Sequence, residues 1–270
     1  MKYDRIFAFG CSYTRFPWPT WADIIAYDLD IPFENWANAG HGNVSIAHHM
    51  LECNLLKKFT TKDLILVCWS TWNREDRLMQ DGWHAGGNIL NNNFYGSKWL
   101  KKYWSEYNDT AKNCYAIISA NKMHNISHQS HIADYANTPL DQGPALSYSF
   151  NTPGYMEYGL DVLEKELPQK ILFDNFNNSK FEGQLTDLHP DIKSHLNHAY
   201  LVLDMLGINM KETTKKGYTK LHNDVVNSLR MKYGGTRLSD WARIKEFMVS
   251  YNWGHFMKSR DINRKVGEAQ

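Results

Sequence analysis

No stretch of about 18 consecutive apolar residues occurs anywhere in the 270-residue chain, so nothing in it reads as a helix that crosses a bilayer. A charged, then apolar, then small-residue leader is also missing from the N-terminus, and the expectation is a cytoplasmic protein with no signal peptide. Cysteine is scarce. Cys11, Cys53, Cys68 and Cys114 are scattered without Cys-x-x-Cys spacing, which argues against a disulfide framework and a zinc ribbon; Cys53 and Cys68 sit in apolar stretches as small core residues. An excess of either charge is lacking too: 30 Lys/Arg stand against 29 Asp/Glu, a formal net charge of +1. That balance argues for neither a nucleic-acid partner nor a membrane surface, and the expectation is no membrane partner and no nucleic acid. The chain shows no internal repeat.

What is present is apolar and aromatic. Hydrophobic residues make up 43% of the chain and aromatics 14%, with 10 tryptophans, enough for a sizeable core and for ring faces that could stack on a sugar. Charge is unevenly spread, with 13 Lys/Arg against 6 Asp/Glu in residues 206–270. These basic residues alternate with apolar ones at helical spacing. A packed helical extension or a homo-oligomer contact therefore fits better than a nucleic-acid surface.

The stretch that organises the chain is Arg5-Ile-Phe-Ala-Phe-Gly-Cys-Ser-Tyr-Thr14. An apolar run, Ile6 to Phe9, is broken by Gly10-Cys11-Ser12, and apolar side chains return at helical spacing from Trp21 to Leu29. This reads as strand, tight turn and helix. Pro32 to Ala37 reads as a second strand, Asn38-Ala-Gly-His-Gly-Asn43 as a glycine turn, Val44 to Phe59 as a helix and Asp63 to Trp69 as a buried strand. The β-α-β-α-β order predicts a parallel sheet with right-handed crossovers. Residues 70–97 form an expected insertion beside the sheet. Helices are expected at Trp99–Tyr107, Asp109–Met123 and Leu160–Leu167, from Pro190 to Met205, and near Leu221–Met231 and Ser239–Tyr251. A fourth strand is expected within Asn125–Asp134, and residues 137–160 are expected to be loop.

In a parallel sheet, reactive groups collect on turns after the strands' C-terminal ends, and Ser12 occupies such a turn. A serine hydroxyl needs a base, and the base needs a group that holds its tautomer. Asp187-Leu-His189-Pro190, just before a helix, could supply both, although Asp-x-His-Pro is also an ordinary helix-start string. Oxyanion donors could come from the Ser12 backbone N–H, from Gly40 or Gly42, and from Thr71 or Asn73 just after the third strand. His124, His128 and His131 would share one face if residues 124–131 were helical, and His195 and His198 are spaced i, i+3. No carboxylate accompanies either set, and the reading assigns no metal and no cofactor.

Taken together, these residues resemble the SGNH (GDSL-type) hydrolase superfamily over roughly residues 3–205. Gly10-Cys-Ser12 matches its first block, Gly40 its second, and Asp187 with His189 its fifth. Phe9-Gly-Cys-Ser-Tyr-Thr14 with Trp18-Pro-Thr-Trp-Ala-Asp23, and Trp69-Ser70 with Arg74-Glu-Asp-Arg77, look especially like phage-encoded members, which would put the protein in a host's cytoplasm. The chain departs from the pattern in three places: Cys11 stands where Asp is usual, Thr71 where Asn is usual, and one residue is missing between Asp187 and His189.

The resemblance implies a three-layer α/β/α, flavodoxin-like domain over residues 1–205, with the insertion at about 70–97, and residues 206–270 as a helical C-terminal extension. It implies a serine esterase acting on a small O-acyl, acetyl-like ester of a carbohydrate or similar polar molecule. Ser12 would be the nucleophile, His189 the base and Asp187 its partner. Ser12, Gly40 and Thr71 or Asn73 would form the oxyanion hole, and His41, Trp72 and Arg74 would contact substrate. The other readings are an acyltransferase using the same site and a non-catalytic glycan- or partner-binding module on the same fold.

Overall fold

In a computed structural model, the protein is described for residues 2–89, 95–132, 162–163, 165–167, 172–174, 189–233 and 241–257. Strand β1 (Arg5–Gly10), helix α1 (Trp21–Leu29), strand β2 (Phe33–Asn35), helix α2 (Asn43–Lys57) and strand β3 (Asp63–Trp69) follow one another as the apolar pattern predicts. Next come β4 (Arg74–Met79), β5 (Gly82–Asn88), α3 (Ser97–Tyr103), α4 (Glu106–Met123), β6 (His128–Ile132) and β7 (Leu172–Asp174). Three helices close the series: α5 (Ile192–Met205), α6 (Glu212–Tyr233) and α7 (Trp241–Ser250). The first strands and helices fall where hydrophobic periodicity puts them, because each has one partner layer on either side of a sheet.

The central sheet has the order β2-β1-β3-β6-β7 with every pairing parallel. This is a doubly wound order whose chain direction switches between β1 and β3, and the crevice beyond their C-terminal ends is where such sheets hold ligands. Seven of seven residues in β3 are buried, as expected of an interior parallel strand covered on both faces. Alternate residues supply the two faces. Ile6, Ala8, Leu64, Leu66 and Cys68 pack with α1, α5, α6 and α7, whereas Phe7, Phe9, Ile65, Val67 and Trp69 pack with α2 and α4. Each large apolar side chain so buried contributes about 1.5–3 kcal/mol. Arg5 fixes the register at the opposite edge through a two-pronged pair with Asp63, both contacts at 2.7 Å.

Residues from the basic C-terminal segment are part of the first of these cores. Tyr218, Val225, Leu229, Met248 and Trp253 are buried in the same cluster as Ile6 and Trp21. Within residues 70–97 the chain forms an antiparallel hairpin, β4 with β5. Residues 128–132 are strand rather than helix, so His124, His128 and His131 do not share a helical face. His124 instead ends α4, and its Nδ1 accepts from Asn54 Nδ2 at 3.1 Å. No cluster of three metal-binding side chains exists among the described residues. Among them, no helix is long and apolar enough to cross a membrane. The loop expected at 137–160 lies outside the described residues, as does the turn before His189.

Candidate active site

Ser12 lies where β1 ends. A Cβ on Gly10 would collide with Thr14 Oγ1 and come within 2.9 Å of the Cys68 carbonyl oxygen, so the turn needs glycine there. The Cys11 carbonyl accepts from Thr14 N–H at 3.0 Å and Arg15 N–H at 3.1 Å, which folds residues 11–15 tightly around Ser12. Cys11 itself is fully buried in the α1 core, a packing role at the position where the resemblance leads one to expect Asp. The Thr14 carbonyl then accepts from the Thr20 hydroxyl (2.7 Å) and from Asn35 Nδ2 (2.9 Å). Thr20 N–H in turn donates to the Asp23 carboxylate at 3.0 Å, closing the start of α1.

The turn after β2 runs alongside. Asn38 N–H donates to the Gly10 carbonyl at 3.1 Å, and Gly40 has φ of 84°, a left-handed geometry that favours glycine. At the next glycine, a Cβ on Gly42 would meet Asp76 Oδ2 at 2.8 Å and Arg74 Cβ at 2.9 Å. That close approach lets the Asp76 carboxylate accept from Gly42 N–H (2.7 Å) and Ser45 N–H (3.0 Å), capping α2. The charged hairpin is thereby tied to this loop. Burial raises the pKa of Asp76, against the two backbone hydrogen bonds.

His41, between those glycines, is buried, and its Nδ1 lies 2.7 Å from Ser45 Oγ. Its ring stacks on His49 with centroids 5.2 Å apart and planes at 11°. Burial, then His49, then Arg74 push its pKa down to about 4, so the ring is neutral at physiological pH. His41 Nε2 is buried with no hydrogen-bond partner among the described residues.

After β3, the Ser70 backbone is gripped by Asn43, which accepts from Ser70 N–H at 2.7 Å and donates to Ser70 O at 3.1 Å. Asn113 accepts from Asn43 Nδ2 at 2.6 Å and donates to the Trp72 carbonyl at 2.8 Å. The Thr71 hydroxyl donates to Asn73 Oδ1 at 3.1 Å. That bond uses the Thr71 proton and turns the Asn73 amide nitrogen away from Thr71. Trp72 is 6% exposed and belongs to the core against α2 and α4. Arg74 is half-buried beside Gly42.

His189 comes to this edge from the far end of the sequence. Its ring stacks on Phe16 with centroids 3.9 Å apart and planes at 21°, and meets the Tyr13 ring edge-on at 5.4 Å. Pro190 O accepts from Trp18 Nε1 at 2.9 Å, and the Asp191 side chain accepts from Ser194 N–H at 2.8 Å to cap α5. The base candidate thus packs on Tyr13, next to Ser12, and on Phe16, four residues beyond it. Asp187 lies outside the described residues. Beneath, His195 is buried, its pKa driven well below the usual value by burial, then by His198 and His189.

No protein-family model matches the chain, and no curated protein matches it in sequence. Among solved structures, the fold is similar to a gut microbial diltiazem-metabolizing enzyme (TM-score 0.43, 16% identity, 76% of this chain and 47% of that one). It is also similar to an acetyl xylan esterase from the rumen bacterium Butyrivibrio proteoclasticus (TM-score 0.39, 14% identity, 86% of this chain and 64% of that one). The chain spans less than two thirds of either.

Sequence reasoning did not find Asn43 and Asn113, which hold the loop after β3. Asn43 carried a weak signal, standing at a helix start directly after a glycine turn; Asn113 carried none, being one polar residue on a helix that lies beside that loop only after folding. A cavity of about 320 Å³ lined by Tyr27, Asp30, Lys211, Thr213, Thr214 and His255 sits at the C-terminal end of α1, at the opposite edge of the sheet from Ser12.

Proposed function

We propose that this chain is a serine ester hydrolase that removes a small, acetyl-like O-acyl group from a carbohydrate or similar polar molecule. The observation that carries the reading is the stacking of His189 on Phe16, with Tyr13 edge-on, which gathers an imidazole and the Ser12 turn at one sheet edge. Ser12 Oγ attacks the ester carbonyl carbon while His189 takes its proton. The C–O bond to the alcohol then breaks, and the departing oxygen takes that proton from His189. Water, deprotonated by His189, adds to the acyl carbon; the bond to Ser12 breaks, Ser12 regains the proton, and the carboxylic acid leaves. A sugar hydroxyl in place of that water would make the same site an acyltransferase.

The oxyanion of each tetrahedral intermediate is met by the N–H groups of Ser12 and Gly40 and by the Asn73 amide, oriented by Thr71. The resemblance assigns to Asp187 the part of the acid that orients the His189 ring. His41, neutral and buried next to Gly40, supports that turn from within, and half-buried Arg74 lines the same loop. Trp72 supports the loop from within the core.

Release of nitrophenol from para-nitrophenyl acetate tests this reading, together with labelling of Ser12 by a fluorophosphonate. S12A and H189A are expected to lose turnover by about a hundred-fold or more, and S12A to lose labelling. Equal rates in wild type and S12A, with no labelled serine, would instead assign the fold a binding role.

A further inference from the structure

The turn that carries Ser12 also carries Arg15, and nothing in the reaction above uses it. Arg15 is half-buried, anchored at its backbone by the Cys11 carbonyl at 3.1 Å. Its side chain reaches across to the turn after β2, where Nη1 lies 3.5 Å from the Ala37 carbonyl. That is its one hydrogen bond among the described residues, at the outer limit of useful length, from a group that carries five N–H donors. No carboxylate forms an ion pair with it among those residues. The acid that acts on it through space is Asp23, whose carboxylate already accepts from the Thr20 N–H at 3.0 Å.

A second guanidinium, Arg74, stands at the other end of the same turn beside Gly42, and it too lacks an ion pair among the described residues. At that end the Asp76 carboxylate, which accepts from Gly42 N–H at 2.7 Å, lies within electrostatic reach of Arg74, so Arg15 is the cation of this turn that has no acid bonded beside it among the described residues. A desolvated guanidinium with unused parallel donors is costly by itself and favourable once a planar oxyanion fills its fork. Burial lowers the Arg15 pKa, with Asp23 opposing, which is the electrostatic mark of a cation short of counter-charge.

We propose that Arg15 is a specificity-determining residue that receives a carboxylate on the substrate, so that the ester cleaved at Ser12 belongs to an acidic molecule rather than a neutral one. The inference rests on the ester-hydrolase reading for the identity of the ligand, but its test reads binding and not turnover. Isothermal titration of S12A with ortho-, meta- and para-acetoxybenzoate, each against its own methyl ester, uses the ring position as a ruler for the distance between ester and anion.

At least one acid is expected to bind about ten-fold or more tightly than its methyl ester. In S12A/R15Q that preference disappears, while S12A/R15K, which keeps the charge but not the fork, retains part of it. If R15Q fails to fold by circular dichroism, the Lys variant still decides, through a preference reduced several-fold. Equal affinity for acid and methyl ester, no binding of either, or a preference that survives unchanged in both Arg15 variants would overturn the proposal. An acid preference in a protein that hydrolyses no ester would retain the anion site and reject the hydrolase reading.

Discussion

The indole N–H of Trp18 donates to the Pro190 carbonyl oxygen at 2.9 Å, joining positions 172 residues apart in the chain. This bond is buried and lies between the Ser12 turn and the segment that delivers His189. W18F removes the donor and, being smaller than the fully buried indole, also leaves a small void beside the Pro190 carbonyl. We expect a loss of about 1–3 kcal/mol in stability, the cost of a stranded buried acceptor, read as a lower urea midpoint. A larger proportional fall is expected in kcat than in KM for para-nitrophenyl acetate, because the imidazole is displaced from the nucleophile. A variant that loses stability with kcat unchanged would make the bond purely structural.

Thr71 and Asn73 form a unit in which the hydroxyl orients the amide. N73A is expected to lower kcat by about a hundred-fold with little change in KM, as loss of one oxyanion donor does. T71V leaves the amide present but unrestrained, and a smaller loss is expected. If T71V is the more damaging of the two, the hydroxyl itself is the donor.

Several buried histidines make stability sensitive to acid. His41 and His49 are pushed down to about 4 and His128 to about 3, each chiefly by burial. An unfolded histidine titrates near the ordinary value of 6.5, so on acidification the unfolded chain takes up protons first. Stability is therefore complete above about pH 6.5 and lost as pH falls from there toward 4. His41 alone accounts for a loss on the order of 3 kcal/mol across that window. Urea unfolding at closely spaced pH values should show the midpoint falling over this range, and H41Q should flatten the fall. A midpoint indifferent to pH between 7 and about 4.5 would mean these rings are hydrated in solution.

The β1-α1-β2-α2-β3 half of the sheet was legible because its side chains repeat at strand and helix periods, and a residue's neighbours along the chain reported its burial. The hairpin β4–β5 was not. Arg-Glu-Asp-Arg-Leu-Met of β4 buries no face, so no alternation marks it; what fixes it is the Asp76 carboxylate seated on the start of α2. Strand β6 is polar yet interior, and its reasons are remote in sequence. Gln129 accepts from Trp69 Nε1 at 3.0 Å and exchanges hydrogen bonds with Asn121. Ser130 stands between His128 (2.8 Å) and His198 (3.0 Å). Such pairings cancel the desolvation cost that polarity would otherwise impose, and no local pattern encodes them. The three-residue strand β7 is shorter than any periodicity can reveal.

At the candidate site, the Ser12 turn and the Gly40 turn were legible from glycine chemistry, and His189 from its place before a helix. Arg15 could have been noticed three residues after Ser12. What could not be seen was that no acid among the described residues pairs with it, since that depends on Asp23 being held by Thr20.

The first hydrophobic cluster takes side chains from Ile6 through Met257, and this imposes an order on biosynthesis. A ribosome adding roughly 5–20 residues per second needs on the order of ten seconds or more to travel from the end of β2 to the last contributors. Throughout that interval one side of the nascent sheet has α1 alone as cover, without the full set of helices α5, α6 and α7. Chaperone occupancy on translating polysomes should accordingly persist until the closing helices emerge.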